Sequence, residues 1–100
     1  MSIIYHITTK NEFEIAKAKG FYEAESLAIE GFIHCSKAEQ VEGVLSRYFK
    51  NKTNLVKLVL DSEKIDSKLI YEYSPSVQEE FPHIYGKINL NSIIDVVELN

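Results

Sequence analysis

The heptapeptide Glu30-Gly-Phe-Ile-His-Cys-Ser36 decides how the rest of the chain is read. Gly31 to Cys35 has the composition of a short buried strand, and Ser36-Lys-Ala-Glu39 has the form of a capping box, so the strand is expected to run straight into a helix. Chemistry suits such corners. The strand fixes side chains, and the helix start offers N–H groups that the helix itself does not use. The stretch carries one of three histidines and the only cysteine. Successive side chains on a strand point to opposite faces, so His34 and Ser36 share one wall and Cys35 turns into the opposite layer. Cys35 is therefore expected as a small core residue, because a reactive thiol needs an electropositive, partly exposed setting. Ser36 is expected as a helix N-cap whose hydroxyl also faces a ligand.

Working outward, Ile3 to Thr8 is β-branched and aromatic and reads as a strand, with Ile3, Tyr5 and Ile7 on one face and Ile4, His6 and Thr8 on the other. Thr9 and Glu12 have capping-box spacing before a helix from Lys10 to Lys19, with Phe13, Ile15 and Ala16 on its inner side and Gly20 at its end. Tyr22 opens a short extended piece, and Glu25 to Ile29 makes one helical turn. Beyond Ser36, the residues Ala38, Val41, Val44, Leu45, Tyr48 and Phe49 form the stripe of a core-packed helix that ends near Asn51. Asn54 to Leu60 is a nearly continuous apolar run, as in a central strand. Asp61 to Ser67 is a loop, Leu69 to Tyr73 a strand, and Ser74 to Glu80 a loop marked by Pro75. Ile84 to Leu90 is a strand with Gly86 as a bulge, and Ile93 to Leu99 a last strand. Helices gathered in the first half and strands in the second define an α+β class, and 100 residues fit one domain.

Composition removes several functions. With 11 Lys and Arg against 15 Asp and Glu, the net charge of -4 does not suit a nucleic-acid backbone. Arg47 is the only arginine, so bidentate phosphate recognition is poorly served. The glycines at 20, 31, 43 and 86 are scattered, which excludes a dinucleotide or phosphate-loop motif. One cysteine makes no internal disulfide. Ser2 to Ile7 is too short for a secretory leader, and no run reaches the ~20 apolar residues of a membrane span. A cytoplasmic protein without membrane or nucleic-acid partners is expected.

The polar residues worth following stand in three segments. Glu72 lies mid-strand between Tyr71 and Tyr73, where a carboxylate is costly unless paired or used. Phe81-Pro-His-Ile-Tyr-Gly86 is the densest aromatic piece, and Pro82 holds Phe81 extended so that His83 and Tyr85 aim at one side. His6, His34 and His83 come from different segments without metal-ligand spacing; a metal-dependent hydrolase built on them is the weakest functional reading, and no metal site is assigned.

Tyr5-His-Ile-Thr8, Gly31-Phe-Ile-His-Cys-Ser36, Tyr71-Glu72 and Phe81-Pro-His-Ile-Tyr-Gly86 together resemble the small bacterial domain-of-unknown-function 952 family over essentially the whole chain. The resemblance implies an ADP-ribosyltransferase-like fold: a split, mainly antiparallel β core with a cleft that holds NAD in active relatives. In that wider group a first-strand histidine or arginine, a second-strand hydroxyl and a later glutamate form the site. His6 looks like the first, Ser36 the second and Glu72 the third. The pattern also departs from the group, since Ile7 follows His6 where glycine is usual. The resemblance thus implies a cleft in which Glu72, His83 and His34 do chemistry and His6, Thr8, Ser36 and Tyr85 hold a small polar ligand or nucleotide. NAD is the candidate substrate. Its nicotinamide–ribose bond would break with positive charge on the ribose, which Glu72 would stabilise while the Ser36 helix start received a phosphate. The rival reading is a binding module that kept the fold and lost the chemistry.

Overall fold

The computed structural model describes residues 2–100. Strand β1 (Ile3–Thr9) runs antiparallel to β4 (Leu55–Asp61), which pairs on its other side with β8 (Ile93–Glu98). Alternation sets Ile4, His6 and Thr8 of β1 opposite Leu60, Leu58 and Val56, and this is the inner face. Ile93 and Val96 of β8 pack against it, as does Phe13 of α1 (Lys10–Lys19). Each aliphatic side chain so buried contributes roughly 1.5–3 kcal/mol.

Thr9 caps α1, its hydroxyl oxygen accepting from the Glu12 N–H at 3.1 Å. Helix α1 meets the core through the buried Ala16, and Ile15 is 45% exposed rather than inward. A small residue at the contact brings the helix close, which turns the next position round the helix to solvent. Strand β2 (Phe21–Tyr22) leads to α2 (Glu25–Glu30), the helical turn expected there. Gly31 ends α2 at φ +90°, where a side chain would be strained, and its N–H donates to the Leu27 carbonyl at 3.0 Å.

The second sheet has the order β3 (Ile33–His34), β6 (Glu79–Tyr85), β5 (Lys68–Ser74), all antiparallel. The loop expected over Ser74 to Glu80 is shorter. Strand β5 reaches Ser74, a four-residue turn follows, and Gln78 N–H donates back to the Ser74 carbonyl at 2.8 Å. The strand expected over Ile84 to Leu90 is two pieces, β6 and β7 (Ile88–Asn89), and β7 pairs with β2 instead. Gly86 separates them. A Cβ there would lie 2.5 Å from Ser67 Oγ, so only glycine lets the chain pass.

Pro82 determines where the sheets part. It sits in the middle strand of three, a place proline rarely occupies because it has no N–H to donate. Its carbonyl accepts the Cys35 N–H at 3.0 Å, but the reciprocal bond cannot form. The pairing of β3 with β6 stops there. The next residue, Ser36, takes a new partner: its N–H donates to the Tyr5 carbonyl at 2.7 Å, and its carbonyl accepts the Tyr5 N–H at 2.8 Å. One bridge thus joins the two sheets where they diverge.

This corrects the reading of Ser36 as a helix cap. Both of its backbone groups belong to the bridge, and the helical region begins later, with a 3₁₀ turn at Ala38–Gln40 and then α3 (Val41–Tyr48). Gln40 satisfies the helix start, its Oε1 accepting from the Lys37 N–H at 2.9 Å. Its Nε2 donates to the Glu80 carbonyl at 2.7 Å and to Glu79 Oε1 at 3.0 Å, which ties α3 to the base of the β5–β6 hairpin. Helix α3 ends at Tyr48, short of Asn51. Among the described residues no helix is long and apolar enough to cross a membrane.

Candidate functional site

A cavity of about 670 Å³ opens where the sheets part. His6, Ile7, Cys35 and Ser36 border it from the bridge between the sheets; His34, Phe81 and His83 from β3 and β6; Ser26 and Glu30 from α2. Val44, Tyr48 and the adjoining Phe49 close one side, and Tyr73, Ser74 and Pro75 of the hairpin another. The apolar stripe of α3 is therefore not spent on the core. Val41 alone is buried, and Val44, Tyr48 and Phe49 wall the cavity.

Two imidazoles meet at this site, each tied to a carboxylate. The register sets Glu72 opposite Phe81, which places it diagonal to His83 on the same face. His83 Nδ1 lies 2.7 Å from Glu72 Oε1, and the Tyr85 hydroxyl donates to the same oxygen at 2.5 Å. The Tyr85 hydroxyl, then the His83 ring, hold the Glu72 carboxyl below the usual carboxylate range, and the carboxylate in turn pushes the Tyr85 hydroxyl up. A carboxylate accepts, so Nδ1 of His83 is the donor in this bond, and Nε2 is the nitrogen that the bond leaves uncommitted. Phe32 stacks on this ring at 4.1 Å and 22°.

His34 pairs with His83 across the β3–β6 ladder, and their rings meet edge to face at 5.2 Å. His34 Nε2 lies 3.0 Å from Glu30 Oε2. Glu30 is the last residue of α2, where the helix dipole disfavours a carboxylate, and the imidazole four residues on gives it a partner. Glu30 borders the cavity, whereas Glu72 does not; Glu72 stands behind His83.

His6 occupies a position that its strand gives to the core. Its Nδ1 lies 2.6 Å from the His34 carbonyl and its Nε2 2.7 Å from the Tyr22 hydroxyl. A carbonyl can only accept, so Nδ1 carries the proton and Nε2 accepts from Tyr22. Having donated there, the Tyr22 oxygen is left to accept the proton of Thr8, whose Oγ1 is 3.0 Å away. Burial lowers the imidazole to about 4, so the ring is neutral near pH 7. Both of its nitrogens are committed to the protein. It holds the His34 backbone in place rather than reaching out. Thr8 is likewise buried in this chain of hydrogen bonds and does not border the cavity.

The sequence-derived residues thus separate into groups. His34, His83 and Ser36 border the cavity, and the Ser36 hydroxyl has no hydrogen-bond partner among the described residues. Glu72 and Tyr85 form the row behind His83. His6 and Thr8 lie beneath, with His6 just meeting the cavity. Cys35 belongs to the core cluster, and burial pushes its thiol far up. Glu30, Ser26, Tyr48, Phe49, Tyr73 and Phe81 line the cavity without having been singled out as site residues. For Glu30 a signal existed: a carboxylate four residues before a histidine, at the last helical position before a glycine. Among the described residues no group of three or more His, Cys, Asp or Glu side chains is placed to hold a metal ion.

Fold and site together define a mixed α+β protein whose two antiparallel sheets part over a cavity walled by histidine, carboxylate and aromatic side chains. The chain belongs to the DUF952 family, a family of proteins of unknown function, whose model matches residues 7–96. It is similar in structure to protein CC0527 from Caulobacter crescentus. The crystal structures of that protein and of a double mutant of it each give a TM-score of 0.90 at 30% sequence identity, covering 99% of this chain and 87% of that one. The solution NMR structure of CC0527 gives 0.84 at 31% identity, covering 100% of this chain and 86% of that one. No curated protein matches the chain.

Proposed function

We propose that the cavity binds a small polar ligand and that His83 acts on it as a general base, with His34 as its partner and Glu72 as the group that orients His83. The observation that carries this reading is the pair of imidazoles meeting at 5.2 Å, each bound through one nitrogen to a carboxylate. A base whose Nδ1–H is fixed by a carboxylate keeps its Nε2 lone pair aimed and gains a counter-charge when it takes a proton. The cavity volume of about 670 Å³ lies in the ~300–1,000 Å³ range of small-molecule sites.

NAD is the candidate substrate within this reading, supported by the parted antiparallel sheets and by the family resemblance. The arrangement shifts the roles. Glu30 is the carboxylate that borders the cavity and would meet positive charge developing on a ribose. The Ser36 N–H is taken by the Tyr5 carbonyl and the Lys37 N–H by Gln40, so neither is left to receive the phosphate expected at Ser36. The second reading, a module that binds without catalysis, is favoured by His6, whose two nitrogens are both bonded to the protein.

Calorimetric titration with NAD and ADP-ribose tests the nucleotide version: measurable heat is expected with NAD, and no heat at millimolar ligand with folded protein removes it. Where NAD binds, chromatographic detection of released nicotinamide separates enzyme from binder. Glu72→Gln is then expected to cut turnover by roughly 10²–10⁴-fold while leaving affinity nearly unchanged, because Glu72 lies behind His83. Binding without any turnover in the unmodified protein supports the non-catalytic module.

A further inference from the structure

The walls and the charge of the cavity together name a class of ligand. Among its lining residues Glu30 is the one formally charged side chain, and neither lysine nor arginine lines it. Of the N–H groups leading into the nearby helix, those of Ser36 and Lys37 are already taken, by the Tyr5 carbonyl and by Gln40 Oε1. An anionic ligand would therefore find a carboxylate and no fixed cation, and the net charge of -4 adds a field of the same sign. Aromatic rings make up much of the wall: Tyr48, Phe49, Tyr73 and Phe81. Tyr48 and Phe49 already hold cations of the chain itself on their rings, Arg47 at 5.8 Å and Lys52 at 5.6 Å. Tyr73 and Phe81 have no ring or cation partner among the described residues. Unpartnered aromatic rings beside a carboxylate are the composition that attracts an organic cation, through the ring quadrupole and the counter-charge together.

We infer that the cavity selects a cationic ligand of the pyridinium or alkylated-ammonium class, with Phe81, on the same sheet face as His83, against its apolar body and Glu30 beside its charge. The inference rests on the reading that the cavity is the ligand site. It also narrows the NAD version, because the nicotinamide ring of the oxidised dinucleotide is such a cation, whereas its pyrophosphate meets no lysine or arginine in the lining.

The test uses one ring at three charges. 1-Methylnicotinamide, nicotinamide and nicotinate are titrated separately into isotope-labelled protein at pH 8, where ordinary imidazole is neutral, and amide shifts are followed by NMR. The cation is expected to bind roughly three- to tenfold more tightly than the neutral ring, with nicotinate weakest, and the largest shifts are expected at Glu30 and Phe81. Glu30→Gln keeps a hydrogen-bonding group beside His34 and is expected to bring the cation down to the affinity of the neutral ring. Shifts at cavity residues with equal binding of cation and neutral ring, or with nicotinate preferred, overturn the charge inference and leave the cavity reading intact. No shifts there with any probe at millimolar concentration overturn both.

Discussion

Acid should unfold this protein partly through His6. Its ring is buried, neutral and bonded at both nitrogens, and burial lowers it from 6.5 to about 4. The unfolded chain takes up the proton first as the pH falls, so between pH 6.5 and 4 the unfolded state binds more protons than the folded one. Stability therefore falls with acidification in that window, by at most ~1.4 kcal/mol per pH unit from this one group. Across the window the loss amounts to roughly 3 kcal/mol, a large part of the ~5–15 kcal/mol that holds an ordinary domain together. Urea unfolding of the wild type and of His6→Asn, measured in steps from pH 7.5 to 4, isolates the effect. The asparagine amide can still donate to the His34 carbonyl but takes up no proton. The variant is expected to start about 1–3 kcal/mol less stable, having lost the Tyr22 bond, and its stability relative to the wild type should rise by about 3 kcal/mol on the way to pH 4, so that the two curves meet or cross. Glu72, held low by Tyr85 and His83, also loses stabilising interactions as it is protonated, but it does so in both proteins and cancels in the difference. Parallel curves would refute the account of His6 as a neutral, buried, doubly bonded ring.

Three other outcomes follow from contacts described above or nearby. Gly86→Ala should lower stability by roughly 1–3 kcal/mol, since its Cβ would meet Ser67 Oγ at 2.5 Å and Cβ at 2.9 Å; adding Ser67→Gly should recover part of the loss in thermal melts, and no recovery would mean the clash is not the cause. Gly43→Ala in α3 should do the opposite and stabilise by ~0.5–1 kcal/mol, because the contact its Cβ makes, at 3.0 Å, is with the mobile Arg47 guanidinium; a drop in the urea midpoint would show that the guanidinium cannot give way. Cys35 should resist a thiol-reactive disulfide reagent at pH 8 until urea unfolds the chain, given a buried thiol that burial pushes far up; labelling of the native protein within the mixing time would contradict its place in the core.

Much of the frame was legible because alternation and caps are local. The two faces of Ile3 to Thr8, the opposed directions of His34 and Cys35, and the start and end of α1 follow from neighbouring residues, and the structure bears them out. Features set by distant partners were not legible. Ser36 fits a capping box in one dimension, but Tyr5 claims its backbone first, from thirty-one positions away. The strand expected from Ile84 begins at Glu79 and takes in Pro82; the pairing of β6 with β3 on one side and β5 on the other emerges only in three dimensions. The stripe on α3 reads as core because periodicity records which face is apolar, not whether that face meets another element or an empty space. The row Tyr85–Glu72–His83 depends on the register of the β5–β6 hairpin, which the turn at Pro75 sets. The conjunction of His34 with Glu30 was within reach, because it is a four-residue spacing on one short stretch.

Pro82 offers an engineer a handle that no side chain in the cavity wall provides. The opening begins where one ladder rung is missing, so its position is written in the backbone chemistry of a single residue rather than in the shapes of the lining. A proline moved two places along β6, to position 84, would cancel the rung at Ile33 and shift the start of the opening by about 7 Å. Restoring an N–H at position 82 with alanine would invite the strands to zip one rung further and narrow the mouth. The start of the opening in this architecture can thus be adjusted in discrete steps, two residues at a time, and a step to position 84 would also release the His34–His83 pair from the ladder.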